Sequence, residues 1–315
     1  MLKKGKQAEF INAFFSAEKW KPQELITVQD AWEDATSMPK WGRLWPWPSL
    51  NKLTYGRRDG EGIYVGAGVK VGKTEWLSEM VHHIIHTEQK PVFLAKFEQS
   101  PGQTLKAIAG KADKKPYHSP EAVDNKLFTQ EDLNAAIKKL EGKVYQFNAG
   151  YSEAGQGDLW ERMKPVIRYL VLEEGVRDVF IDPITQLTDG MTPSETETYL
   201  RKFSNEVQGL AQDLGFFYYI FCHLKEPNQG TPHEEGGRVK SAQFRGSRAM
   251  QEKTKFMLGI ERNILVDDEE ERNTSTFRLL LNSGFGKPGS FPVVYNPETT
   301  SYLEPEQQMS IRGDY

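Results

Sequence analysis

Residues 66–74 constrain the fold of this 315-residue chain more than any other segment. They read Gly66-Ala67-Gly68-Val69-Lys70-Val71-Gly72-Lys73-Thr74. An apolar run precedes them and a stretch with helical spacing follows. Small residues in such a loop let backbone N–H groups converge on phosphate oxygens, and the helix N-terminus adds positive partial charge. The segment therefore predicts a phosphate-binding loop between a strand and a helix, although Ala67 stands where the motif has its first glycine.

Eight apolar runs of strand length alternate with helical periods from residue 61 onward. The runs cover residues 62–66, 92–95, 144–147, 176–181, 216–222, 256–260, 276–281 and 291–295. The best-defined helix lies before the fifth run, where apolar residues recur at steps of three and four over 200–214 and Gly215 follows at a C-cap position. Strands that alternate with helices are typical of βαβ units. The sequence thus predicts an α/β fold with a mostly parallel central sheet.

Composition narrows the partners and the compartment. The chain has 40 Lys plus Arg against 44 Asp plus Glu, a net charge of −4, so any contact with nucleic acid must be local. The single cysteine, Cys222, cannot form an internal disulfide and favours a reducing compartment. No run approaches the roughly eighteen apolar residues of a membrane span. We expect a cytoplasmic protein, in the host cytoplasm if it is viral, with no membrane partner.

The first 49 residues differ in texture from the rest of the chain. Five of the seven tryptophans fall before residue 60. Four apolar residues near the start recur at helical spacing: Phe10, Ile11, Phe14 and Phe15. Such an arm either folds back on its own domain or packs on a neighbouring subunit. We expect an arm over 1–49, a main domain over 50–305 and a tail over 306–315.

A nucleotide-hydrolysing loop of this type needs carboxylates at neighbouring strand ends. Asp182 ends an apolar run and suits the Mg²⁺ shell, whereas Glu98 follows another run and is the candidate base that orients the attacking water. His223 ends a third run, where it could contact the terminal phosphate or serve as a core residue. Because the carboxyl ends of parallel strands share one edge, we expect all three side chains near the phosphate loop.

Several short motifs occur in the order and spacing of one known family. They are the phosphate loop, Lys96-Phe97-Glu98-Gln99-Ser100, Asp178-Val179-Phe180-Ile181-Asp182, Cys222-His223-Leu224-Lys225 with Pro227, His233-Glu234-Glu235-Gly236, Phe244-Arg245-Gly246-Ser247 and Glu261-Arg262-Asn263. Together they resemble the DnaB-type ring helicases, most closely the helicase half of T-odd phage primase-helicases and mitochondrial Twinkle. The resemblance runs from about Leu50 to Pro305.

The resemblance implies a RecA-like P-loop NTPase core that assembles as a homo-oligomer, a hexameric ring around single-stranded DNA. It implies ATP, or another NTP or dNTP, bound with Mg²⁺ between subunits. It also implies the primase and polymerase of the same replisome as partners. We expect a stand-alone helicase module of phage origin.

The resemblance also implies roles for individual residues. Gly68, Gly72, Lys73 and Thr74 would bind the phosphates, with Thr74 and Asp182 at the Mg²⁺ ion. Glu98 would be the catalytic base and His223 the γ-phosphate sensor, so that Glu98, Lys73 and His223 form the catalytic set. Arg262 and Tyr295 match the positions that sandwich the nucleotide base. Lys225, Arg245 and Gly246 match the loops that bind the DNA backbone.

The sequence departs from the family at two functional places. Leu281 and Ser283 occupy the positions where a lysine and an arginine normally reach the neighbouring subunit's ATP site. An arginine finger contributes about 10³–10⁵ in rate to related NTPases, so Arg278 or Lys287 could substitute or hydrolysis could be slow. Gln229 and Thr231 replace lysines of the DNA loop, which implies weaker non-specific DNA binding.

Two functions remain open on the sequence. The first is an ATP-driven replicative DNA helicase, favoured by the match over 223–247. The second is a DNA-binding accessory ATPase of recombination-mediator type with little unwinding, favoured by Leu281 and Ser283. A small-molecule P-loop kinase is disfavoured because the sequence has no arginine-rich lid.

Overall fold

The computed structural model describes residues 4–16, 22, 25–149, 158–227, 229–244 and 247–312. The chain divides into two compact units, Met1–Lys40 and Trp41–Tyr315. The first unit contains helices α1 (Lys4–Ser16) and α2 (Trp32–Thr36). Helix α1 carries the predicted spacing, and the rings of Phe10 and Phe14 lie 6.4 Å apart between centroids. In the described ranges, no helix is both long and apolar enough to cross a membrane.

The second unit is built on a nine-stranded sheet in the order β3-β2-β4-β5-β1-β6-β7-β8-β9. The strands are β1 (Gly62–Ala67), β2 (Val92–Lys96), β3 (Val144–Gln146), β4 (Asp178–Asp182), β5 (Phe217–His223), β6 (Phe256–Glu261), β7 (Thr274–Asn282), β8 (Gly289–Tyr295) and β9 (Tyr302–Leu303). The pairs from β3 through β6 are parallel, and β7, β8 and β9 add to β6 in antiparallel fashion. The predicted mostly parallel α/β sheet is therefore confirmed.

Helices cover both faces of this sheet. They are α3 (Pro48–Thr54), α4 (Lys73–His83), α5 (Pro101–Asp113), α6 (Pro120–Asp124), α7 (Gln130–Lys138), α8 (Leu159–Leu172), α9 (Pro193–Leu214), α10 (Ser247–Lys253), α11 (Glu269–Asn273) and α12 (Pro305–Arg312). Helices α4, α5 and α7 contribute to the apolar cluster on one face, and α8, α9 and α10 contribute to the cluster on the other. The core is thus two layers separated by the sheet, as in doubly wound folds.

All eight predicted strands occur, with ends that differ by up to two residues. The predicted helix over 200–214 is the second half of α9, and its C-cap Gly215 has the left-handed φ of 70°. Strand β9 escapes prediction because two residues carry no periodic signal. The acidic run 267–271 lies at the exposed tip between β6 and β7, where it contributes to the short helix α11.

Residues 41–49, which the sequence analysis grouped with the arm, pack in the second unit. Trp45 and Trp47 are buried, and their rings lie against Trp76 of α4. The indole N–H of Trp47 donates to the Tyr302 carbonyl at 2.9 Å. The large apolar surface of two tryptophans explains why the compact unit begins at Trp41 rather than near Leu50.

A buried ion cluster ties this segment to the amino end of β4. Arg57 and Asp178 are both fully buried and lie 2.7 Å apart. The Tyr219 hydroxyl donates to the same Asp178 oxygen at 2.7 Å, and Glu88 accepts from both Arg57 and Arg43. Each buried charge in the cluster has an opposite charge beside it, which is the condition for stable burial.

We expect Arg57→Met to lower the free energy of unfolding by about 3–5 kcal/mol, because Asp178 would be left buried without its main cation. Urea unfolding followed by circular dichroism measures the change. Arg201→Met is the control, since it removes an exposed ion pair with Glu197 that contributes about 0.5 kcal/mol or less. Equal stabilities for the two variants would contradict a structural role for the cluster.

Candidate active site

The phosphate loop connects β1 to α4, as the sequence predicts. Gly72 is the N-cap residue of α4 and has φ 127°, in the region that favours glycine. Ala67, the residue that departs from the motif, is the last residue of β1, where a buried Cβ is accommodated. The loop therefore keeps its glycine at the position where the backbone requires one.

Strand pairing brings the predicted side chains to the same edge. Ala67 pairs in register with His223 of β5, and Gly66 pairs with the buried Cys222. Lys96 of β2 pairs with Asp182 of β4, and β4 is the neighbour of β5. These positions are strand ends, so the residues that follow them meet beside the phosphate loop.

Lys73 is the centre of a chain of polar contacts. Its ammonium lies 3.0 Å from His223 Nδ1, and the side chain is nearly buried. His223 Nε2 lies 2.9 Å from Glu98 Oε1. A carboxylate oxygen can only accept and an ammonium can only donate, so Nε2 carries the proton and Nδ1 accepts from Lys73. Lys73, His223 and Glu98, which the sequence analysis chose separately, are thus directly connected.

Asp182 lies beside this chain and is under-paired. Its side chain is buried, and its Oδ1 has no hydrogen-bond partner among the described residues. Burial raises the pKa of the Asp182 carboxyl, against the opposing attraction of Lys96 and Lys73. A buried carboxylate oxygen without a partner fits a Mg²⁺ shell, because a hard cation prefers oxygen ligands.

The two lysines beside Asp182 show the same effect with opposite sign. Burial lowers the pKa of Lys73, and the charges of Asp182 and Glu98 oppose this shift. Burial also lowers the pKa of Lys96, whose ammonium donates to Gln99 at 2.6 Å. The edge therefore concentrates desolvated charge of both signs, as is common at catalytic sites.

Arg262 and Tyr295 lie near one another at the end of the antiparallel strands. Arg262 donates to the Arg272 carbonyl and, at 3.3 Å, to Asn273 Oδ1. Burial raises the pKa of Tyr295, and the charge of Arg262 opposes this shift. Tyr295 also lines a cleft of about 680 Å³ together with Asn273. The two residues are therefore close enough to border one cleft.

The sequence analysis missed a buried lysine that links this region to the phosphate loop. Lys111 of α5 lies 3.0 Å from Glu75 and 3.3 Å from Glu79, both on α4. Its ammonium also donates to the Thr300 carbonyl and lies 5.9 Å from the centre of the Tyr295 ring. The i, i+4 spacing of two glutamates directly after Thr74 was the one available signal.

The predicted DNA-binding positions are described only in part. Lys225 is exposed just beyond β5, and its N–H donates to the Gln243 carbonyl at 2.8 Å. Leu224 and Phe244 form an antiparallel bridge, so the segment between them is a closed loop. Arg245 and Gly246 lie outside the described residues.

The finger positions differ from one another in their partners. Ser283 is exposed at the end of β7, and its hydroxyl lies 3.2 Å from the Thr254 carbonyl and 3.1 Å from the Lys255 carbonyl. Arg278 forms a two-pronged ion pair with Glu261 at 2.7 and 2.8 Å. Lys287 is exposed in the turn between β7 and β8. Arg278 is thus held by Glu261, whereas Lys287 extends towards solvent.

The fold and the loop define a P-loop protein of RecA-like architecture, and similarity assigns it to a family. Residues 46–304 match the DnaB-like helicase C-terminal domain, so the chain belongs to that family.

Two curated proteins are similar in sequence. The DNA helicase/primase of Enterobacteria phage T3 is 23% identical over 98% of this chain. The chloroplastic/mitochondrial Twinkle homolog protein of Arabidopsis thaliana is also 23% identical, over 87% of this chain. The chain spans 55% of the first relative's length and 38% of the second's.

Two solved structures share the fold. The first is the ATPase domain of another protein, which superimposes with a TM-score of 0.68 at 16% identity and covers 88% of this chain and 98% of that one. A DnaB-like replicative helicase, solved in a study of its interactions with primase, gives a TM-score of 0.69 at 16% identity. That comparison covers 94% of this chain and 71% of the other. The predicted RecA-like fold is confirmed.

We expect Gly72→Ala to weaken nucleotide binding by about 5- to 100-fold, because a Cβ at φ 127° adds about 1–3 kcal/mol of backbone strain. The added atom would also lie 3.0 Å from the Tyr302 hydroxyl. Titration with a fluorescent ATP analogue measures the affinity. Gly102→Ala is the control, since a Cβ there meets no described atom within 4 Å. Unchanged affinity in Gly72→Ala would exclude this backbone requirement.

Proposed function

We propose that this chain is an ATP-dependent replicative DNA helicase of phage origin that moves on single-stranded DNA as a homo-oligomeric, hexameric ring. The observation that carries the proposal is the contact chain from Lys73 through His223 to Glu98, beside the under-paired Asp182. Family membership supports the same activity. The whole chain has a net negative charge, so DNA contact would depend on local segments.

In the proposed mechanism, Lys73 neutralises charge on the β- and γ-phosphates as it develops during hydrolysis. Lys73 now donates to His223, and phosphate oxygens are stronger acceptors for an ammonium than an imidazole nitrogen. When Lys73 turns to the phosphates, His223 loses that donor and is able to contact the terminal phosphate. This exchange is the physical basis for a sensor role of His223.

Glu98 is proposed to accept the proton of the attacking water. Its carboxylate is half exposed and is oriented by His223, which fits a group that must reach a water molecule. Thr74 and Asp182 would bind Mg²⁺, with Gly68 and Gly72 in the phosphate cradle. The ion would polarise the terminal phosphate and neutralise its charge.

The base of the nucleotide would lie between Arg262 and Tyr295, which border one cleft. Lys225, Arg245 and Gly246 would bind the DNA backbone. The arm over 1–49 is proposed to dock on an adjacent subunit, and the replisome's primase and polymerase are the proposed further partners. Residues 50–305 would be the motor domain.

We expect Glu98→Gln to bind ATP within about threefold of wild type and to lower kcat by about 100-fold or more, because the proton acceptor is lost while the phosphate cradle remains. Steady-state phosphate release and nucleotide titration measure the two effects. Lys73→Ala sets the background rate, and Glu131→Gln, an exposed carboxylate of α7, is the matched control. Loss of ATP binding in Glu98→Gln would instead indicate a structural role through His223.

A specific observation favours the accessory-ATPase alternative. The Ser283 hydroxyl lies within hydrogen-bond distance of backbone carbonyls of its own chain, and a hydroxyl does not neutralise charge at a neighbour's phosphate. Arg278 is paired with Glu261, which leaves Lys287 as the better placed substitute. If no residue replaces the finger, hydrolysis would be slow and unwinding weak.

We expect Ser283→Arg combined with Leu281→Lys to raise the DNA-stimulated ATPase rate about tenfold or more, which corresponds to roughly 1.4 kcal/mol in barrier. Ser290→Arg, an exposed serine of the next strand, is the control. A flat rate together with loss of activity in Lys287→Ala would show that Lys287 is the finger.

Unwinding of forked DNA separates the two functions. The helicase proposal requires ATP-dependent strand separation by the wild-type protein that Lys73→Ala abolishes. ATPase activity and DNA binding without strand separation would favour the accessory ATPase.

A further inference from the structure

The sequence motif over 233–236 has no role in the proposed mechanism so far, yet it is firmly built. Its turn is closed by backbone bonds from Glu235 and Gly237 to the Pro232 carbonyl, at 3.1 and 2.9 Å. Gly236 has φ 82°, and a Cβ at Gly237 would lie 2.0 Å from the Thr231 carbonyl oxygen. The turn is therefore tight, and it presents His233 in a fixed direction.

His233 is buried between the phosphate loop and the start of the DNA loop. A Cβ at Gly68 would lie 2.6 Å from His233 Cβ, so the two residues are in direct contact. His233 Nε2 lies 3.2 Å from the Lys225 carbonyl. Because a carbonyl only accepts, Nε2 carries the proton and donates. One ring thus contacts a nucleotide-binding segment and a DNA-binding segment.

The ends of the same loop also pack on the phosphate loop. A Cβ at Gly66 would lie 2.5 Å from the Phe244 ring and 2.6 Å from a Leu224 methyl group. The far side of the 233–236 turn is bonded to the segment after β6, where Ile264 N–H donates to the Glu234 carbonyl at 2.8 Å. Two glycines of the phosphate loop therefore contact the loop that runs from Leu224 to Phe244.

We propose that His233 is a positioning residue that couples nucleotide binding at the phosphate loop to DNA binding at the 225–244 segment. Protein interiors pack at nearly crystalline density, so a displacement of Gly68 moves the ring that contacts it. The Nε2 bond passes that displacement to the backbone of Lys225. This route is separate from the Lys73–His223 contact, and it rests on the proposed function.

The test measures a coupling factor. It is the ratio of dissociation constants for a fluorescein-labelled oligo-dT without and with a non-hydrolysable ATP analogue and Mg²⁺, determined by anisotropy. Coupling between sites usually corresponds to a factor of about 5–150. By linkage, the same factor must appear in the analogue's affinity with and without DNA.

Two variants of similar size separate the bond from the packing. His233→Gln retains an N–H donor and is expected to keep at least half of the wild-type factor. His233→Leu fills the space without a donor, and its factor is expected to fall to within twofold of one. Its separate affinities for the analogue and for DNA should stay within about threefold of wild type, which a general loss of structure would not allow.

His83→Leu is the matched control, because His83 Nε2 bonds the Leu44 carbonyl at 3.0 Å near the opposite end of α4. A wild-type coupling factor in His233→Leu, or an equal loss in His83→Leu, would overturn the proposal. Failure of the proposed function is distinguishable, since the wild-type protein itself would then not bind nucleotide or DNA.

Discussion

Strand β4 begins and ends with a buried aspartate, and the contrast between the two governs the molecule. Asp178 at the amino end is surrounded by Arg57, Arg43 and the Tyr219 hydroxyl. Asp182 at the carboxyl end keeps an oxygen without a partner among the described residues. Burying an unpaired charge costs several kcal/mol, so a chain tolerates it where a ligand can complete the site. The paired end holds the fold together, and the under-paired end is left for chemistry.

The features that sequence analysis predicted all have local signals. Strand length, the glycine pattern of the phosphate loop and the strand-end positions of Asp182 and His223 are visible within a few neighbouring residues. Pairing of parallel strands then brings these ends together, which is why Lys73, His223 and Glu98 were chosen before their contacts were known. Their roles stay predictions, because connection alone does not establish chemistry.

The features that sequence analysis missed depend on residues far apart in the chain. Arg57 pairs with Asp178, and Lys111 pairs with Glu75 while bonding the Thr300 carbonyl. No periodicity announces such a pair, since each partner reads alone as an ordinary surface charge. The boundary of the arm was misplaced for a similar reason, because Trp45 and Trp47 find their partners on α4 and at Tyr302. Contact between Gly68 and His233 likewise requires the closed loop to exist first.

The pairing of Gly66 with Cys222 has a consequence for watching this protein at work. The thiol is fully buried in the middle of the sheet, and burial raises its pKa well above the usual value. A thiol in that state does not react with alkylating reagents while the strands are paired. Since it is the only cysteine, its labelling rate under native conditions reports the opening of β5 beside the phosphate loop. The chain thus carries its own probe of the local stability on which every turnover depends.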